Sequence, residues 1–339
     1  MRSPDLLSPG ELLGTPVRLQ SPELSVDVLP DNGGRVASIR CRQSETEFLL
    51  GGSSYKVKAE FSSDVPFEYS DRAGMDECLP TVSLSSGQSG AVNAPDHGDL
   101  WRHAWRILER SDSCVKLTTK CFSLPLSFTR KLSVRASQLR FEYNIRNLAQ
   151  TPIPFLYACH PLFAVEPGDR LILPYLVQCL YLHYSSGNRI GSAGELIAWP
   201  FAGIYDQQIS LDTVGKKSDK TAEMLYAINL SRGICAIYRS QRHQAVVIRF
   251  NTKRLPHLGL WLCNGGWPDN PGIQKQYAVA LEPTVAPYGS LSAAVAARSA
   301  PILKPRRHFN FSISMEILGC DRPWSYEEVA RYIDETPEM

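Results

Sequence analysis

No stretch of the chain approaches the ~20 consecutive apolar residues needed to cross a bilayer. The opening MRSPDLLSPGELLG is broken by prolines and acidic residues, so it does not read as a secretory signal. Excess charge is also missing. Thirty-six Lys and Arg stand against 34 Asp and Glu, a formal +2, which gives no electrostatic footing for nucleic acid or an anionic membrane. The nine cysteines are odd in number, contain no CxxC pair and fall largely inside strand-like patterns. They read as small buried hydrophobes in a reducing compartment, which predicts a cytoplasmic protein. No Cys/His group has the spacing of zinc ligands, so no metal is expected. Linkers, internal repeats and a βαβ rhythm are absent too, and helical patterns are scarce.

Period-two alternation is what the chain has in abundance. In LRFEYNIRN, Leu139, Phe141, Tyr143 and Ile145 share one face and Arg140, Glu142, Asn144 and Arg146 the other. HFNFSISMEI repeats the pattern, with Phe309, Phe311, Ile313 and Met315 inward. LSVDV, VKLTTKCF and AVVIRF read likewise, and DNGG and NGG between such segments suit tight turns. One helix stands out near the C-terminus, WSYEEVARYID, where Ser325 and Glu328 form a capping box. The pattern predicts an all-β chain, a large antiparallel β-sandwich with few short helices. A single domain over 16–322 is expected, after an arm at 1–15 and before a C-terminal helix and tail at 323–339.

Three stretches carry chemical promise. In FLYACHPLF, Pro161 biases His160 toward extended backbone and cannot donate a ladder hydrogen bond, so the strand is expected to stop with His160 at its rim. In QYAVALEPTVAP, Glu282 also precedes a proline, on a face where Ala278 and Ala280 predict free space for a ligand. Between Asp71 and Ile107 lie Asp76, Glu77, His97, Trp101, His103 and Trp105 among turn residues. Polar groups beside broad indole faces match the hydroxyls and C–H faces of sugars. Adjacent strand residues face opposite ways, so at most one of Asp76 and Glu77 is expected in a cleft. Trp261 and Trp267, in GLWLCNGGWPDN, could add a wall.

Taken in order, GGRVASI at Gly33–Ile39, His97-Gly98, His160-Pro161 with Phe163, and Leu281-Glu282-Pro283 resemble motifs of the aldose 1-epimerase (galactose mutarotase) superfamily. The markers span about residues 30 to 290. The resemblance implies a galactose mutarotase-like supersandwich and a cofactor-free mutarotation of a sugar. Carried onto this chain, Glu282 would take the proton of the C1 hydroxyl, His160 would protonate the ring oxygen, and His97 would bind a hydroxyl. Arg72 would stand for the family's sugar-binding arginine, and Asp206 or Asp269 for its further aspartate. Cys159 stands where the family has asparagine, Leu162 replaces an aromatic, and Asp99-Leu100-Trp101 follows His97-Gly98. GMDECLPTV resembles a stretch of less characterised relatives.

The bland readings stand beside these. A histidine also caps strand ends, Asp96-His97-Gly98-Asp99 also reads as a turn, and both Trp101 and Trp105 suit core packing. His103 reads as structural. Two other functions share the expected fold: a carbohydrate-binding protein without turnover, and a hexose-phosphate mutarotase drawing on pairs such as Lys253-Arg254 and Arg306-Arg307. Glycoside hydrolysis would ask for two facing carboxylates, and the sequence offers one. The expected partner is a small-molecule sugar, with the chain a monomer or homodimer.

Overall fold

The computed structural model describes residues 15–51, 65–86, 92–204 and 207–337. The arm expected over 1–15 lies outside these residues except for Thr15. Two large antiparallel sheets dominate. A ten-stranded sheet runs Val17–Gln20, Leu24–Leu29, Arg35–Cys41, Met75–Cys78, Ala158–Pro161, Tyr277–Thr284, His257–Asn264, Thr221–Ala227, Cys179–Ser185 and Leu196–Ala198. An eight-stranded sheet runs Arg170–Ile172, Ile234–Arg239, Gln244–Phe250, His308–Leu318, Gln138–Asn147, Leu126–Arg135, Cys114–Lys120 and Arg106–Arg110. The alternation seen in the sequence is realised here. Leu139, Phe141, Tyr143 and Ile145 are buried while Arg140 and Glu142 are exposed, and Phe311, Ile313 and Met315 fill the same core from the neighbouring strand. The result is the all-β sandwich that the pattern predicts.

A buried charged cluster ties the two sheets together. Arg130 of the eight-stranded sheet donates to Glu77 of the ten-stranded one at 3.0 Å, and the Tyr157 and Tyr143 hydroxyls donate to the same carboxylate at 2.6 and 3.1 Å. Among the described residues there are two α-helices. Leu291–Ala296 is short, and Tyr326–Glu335 lays Val329 and Ile333 on the outer face of the eight-stranded sheet, against Ile234, Ala236 and Val247. Its start is the expected capping box: Ser325 Oγ accepts from Glu328 N, and Ser325 N donates to Glu328. No described helix is long and apolar enough to cross a membrane.

Candidate active site

The ten-stranded sheet carries the site on its face away from the Glu77 cluster. The strand holding His160 ends at Pro161, one residue beyond the expected stop, and it is the fifth of the ten. Ala158 pairs with Thr284, so two residues along each antiparallel strand His160 and Glu282 come level on one face. Their side chains meet, with His160 Nε2 3.6 Å from Glu282 Oε1 and both groups buried, 8% and 3% exposed. The separation is too long for a hydrogen bond. His160 Nδ1 is buried with no hydrogen-bond partner among the described residues. Burial pushes the Glu282 carboxyl up to about 8. Burial, aided by neighbouring His97, pushes the His160 imidazole down to about 3.

His97 approaches from a loop. Its ring stacks on Phe67 at 4.0 Å and meets the edge of His160 at 5.2 Å. Asp96 orients it, with Oδ1 2.9 Å from His97 Nδ1 while Oδ2 accepts from Phe67 N at 2.8 Å. Burial pushes the Asp96 carboxyl up, but the His97 ring, the Phe67 N–H and Arg102 outweigh it and hold it at about 2. A carboxylate fixed in this way makes His97 Nδ1 the donor. Gly98 explains why this loop reads HG. Its φ is +70°, and a Cβ there would collide with the Leu79 carbonyl, so only glycine brings His97 so close to the sheet.

These groups open on a cavity of about 460 Å³, within the range of small-molecule sites. Of the residues singled out in the sequence, His97, His160, Trp267, Asp269 and Glu282 line it, with Trp261 beside them. Asp76 and Glu77 do face opposite ways, yet neither reaches the cavity. Asp76 is level with His160 but held in a buried pair with Arg35, which also pairs with Asp71. Glu77 points into the sandwich. Trp101 and Trp105 lie in the core, 1% and 3% exposed, with Trp101 backing Phe67 edge-on and Trp105 Nε1 donating to Leu100 O. Arg72 donates to Gln274 O and lines a neighbouring cavity with Lys217 and Lys275, across Gln276. Among the described residues no Lys or Arg lines the His160 cavity. Asp206 lies outside the described residues. His103 meets Thr119 Oγ1 at 2.6 Å, as a structural histidine would.

The free space also differs from expectation. Ala278 and Ala280 are covered by Leu50, Leu162 and Trp261, so the gap beside them is filled by protein. Gly259, paired to Glu282 on one side and Tyr226 on the other, is closely covered by side chains that line the cavity. A Cβ there would stand 2.9 Å from Met224 Cε and 3.3 Å from Glu282 Cβ. Phe67, His183, Tyr184, Met224, Tyr226 and Gln276 also line the cavity and were not found from sequence. An isolated glycine inside HLGLWL was the available signal, since it marks a close approach within a strand, here of Met224, Glu282 and Tyr226.

Comparison with known proteins places these observations. The family model described as aldose 1-epimerase matches residues 16–186. No curated protein matches the chain. Among solved structures, the Slr1438 protein from Synechocystis sp. PCC 6803 superposes with a TM-score of 0.64 at 14% identity, over 93% of this chain and 99% of that one. A galactose mutarotase-like protein from Lactobacillus casei ATCC 334 gives 0.64 at 13% identity, over 89% and 100%. A galactose mutarotase related enzyme from Lactobacillus acidophilus gives 0.63 at 11%, over 92% and 100%. At such identities the likeness is one of fold.

Proposed function

The chain belongs to the aldose 1-epimerase family, and on that premise we propose that it interconverts the α and β anomers of a cyclic sugar by acid–base opening and closing of the ring. The observation that carries this reading is the buried pair, His160 Nε2 and Glu282 Oε1, held 3.6 Å apart on the floor of a sugar-sized cavity. A base takes the proton from the C1 hydroxyl, the C1–O5 bond breaks as the carbonyl forms, and an acid delivers a proton to O5. Rotation about C1–C2 and reversal of the same steps give the other anomer. Nothing is consumed, and the two groups must hold one proton between them throughout.

The electrostatics support that proton count. With Glu282 pushed up to about 8 and His160 down to about 3, the empty pair near neutrality is a carboxylic acid beside a neutral imidazole. A carboxylate beside an imidazolium carries the same single proton, so one proton shift across the pair prepares Glu282 as base and His160 as acid. Sugar hydroxyls entering the site would stabilise the charged form by supplying the hydrogen bonds that burial denies. His97, with Nδ1 committed to Asp96, has Nε2 left to bind a sugar oxygen. General acid–base assistance of this kind is worth about 10²–10⁴-fold.

NMR exchange between the anomers of glucose and galactose tests the proposal, with acceleration above buffer expected. Exchange at the buffer rate, together with heats of binding in calorimetry, would favour the second reading, a carbohydrate-binding protein without turnover. The neutral resting pair is what speaks for that reading, since an imidazole without its proton is no acid. The absence of Lys and Arg from the described lining argues against a sugar phosphate in this cavity.

A further inference from the structure

The cavity floor is longer than one sugar ring needs. His160, Glu282, Trp261, Met224 and Tyr184 belong to five successive strands of the ten-stranded sheet. Neighbouring strands lie ~4.8 Å apart, so the floor crosses four spacings, roughly 19 Å. One pyranose with its substituents covers about two spacings. The acid–base pair sits at one end of this floor, and the ring that reacts lies over it, beside His97. Beyond it the character changes to a broad aromatic surface.

That far end is built. Trp261 pairs with Met224, and Met224 with Tyr184, which sets the three side by side on the floor. Trp261 Nε1 donates to Gln276 Oε1 at 2.7 Å, fixing the indole, and Trp267 meets it edge to face at 5.8 Å. The Tyr184 ring lies 6.3 Å from Trp261 at 31°. Consecutive strand residues normally face opposite ways, yet His183 and Tyr184 both line the cavity. A register shift between Leu182 and Tyr184 makes this possible, because a bulge re-aims the side chains beside it.

We propose that this end is a second sugar subsite, and that the preferred substrate is the reducing end of a disaccharide or longer oligosaccharide. The reducing ring lies over the acid–base pair, with C1 and O5 at Glu282 and His160. The next ring lies against Trp261 and Tyr184, with His183 at hand for its hydroxyls. The chemistry is the ring opening and closure described above, on which this inference rests, and the glycosidic bond stays intact.

The test measures anomer exchange by NMR and affinity by calorimetry for glucose, galactose, maltose, cellobiose and lactose. At least one disaccharide is expected to exceed its monosaccharide in kcat/KM and in affinity by on the order of tenfold, the effect of burying one further ring face. Tyr184→Ala, on a half-buried side chain, is expected to bring both ratios to about one, and His183→Ala to lower them. Equal kcat/KM and affinity for all five sugars would overturn the subsite while leaving the epimerase reading intact. Tighter disaccharide binding that Tyr184→Ala abolishes, with no accelerated exchange for any sugar, would keep the subsite and overturn the epimerase. If no sugar binds or exchanges faster, both fall.

Discussion

At the scale of single residues, what matters is how the fold sets the protons of Glu282 and His160. Glu282→Gln is expected to lower anomer exchange by about 10²–10⁴-fold, because the amide keeps the shape and loses the base. The same residue leaves a mark on stability. The folded chain keeps Glu282 protonated up to about pH 8, while the unfolded chain releases that proton near 4.5. The folded form therefore binds more protons in that window, and this contribution, complete below 4.5, is lost as pH climbs through 8. His160 acts in the opposite sense. It stays neutral down to about 3 in the fold and takes a proton below 6.5 when unfolded, so its contribution is complete above 6.5 and lost as pH falls through 3. The melting temperature of Glu282→Gln relative to the wild type is expected to rise between about pH 5 and about pH 8.5. A difference that stays constant across that range would mean Glu282 ionises as an exposed carboxyl does.

Among elements, the strand at His257–Asn264 and the C-terminal helix make contrasting predictions. Gly259→Ala puts a methyl into the floor, where the nearest atom is the flexible end of Met224. The fold should accommodate it, with a melting temperature close to wild type, while KM for sugar rises because the methyl pushes Met224 into the cavity that it lines. An unchanged KM would place the sugar elsewhere. The helix Tyr326–Glu335 covers the outer face of the other sheet, remote from the cavity. Ile333→Ala there should cost about 2–5 kcal/mol in urea unfolding and leave kcat/KM untouched. Sequence reading found this helix because its cap and its apolar spacing are both local. It could not find His183 and Tyr184, because a bulge is a relation between two strands and leaves no period of its own.

For the molecule as a whole, the decisive feature is a sandwich whose two sheets are joined by a buried charge and whose one outer face holds the site. Arg130→Met would strand the Glu77 carboxylate between the sheets with, among the described residues, the two tyrosine hydroxyls as its side-chain partners. Breaking a buried pair from one side costs about 3–5 kcal/mol, measurable as a lower urea midpoint. Replacing Arg130 and Glu77 together by apolar residues is expected to recover much of the loss, since no lone charge is then left inside. Glu77 looked like a site candidate for the same reason that it is buried here. A carboxylate in a short turn-flanked strand carries no sign of which sheet face it will take.

Alternating side chains, turn residues and a capping box fixed the all-β class, the placing of the long strands and the one clear helix, since each follows from chemistry within a few neighbouring residues. The order of four short motifs pointed to the family, and with it to His97, His160 and Glu282. Tertiary structure alone decided that Asp76 answers to Arg35 rather than to a ligand, that Trp101 and Trp105 pack inside, and that Leu50, Leu162 and Trp261 fill the space beside Ala278 and Ala280. Those outcomes depend on which distant strands become neighbours and in what register. A shift of one residue in any one of these strands would turn its side chains to the opposite face.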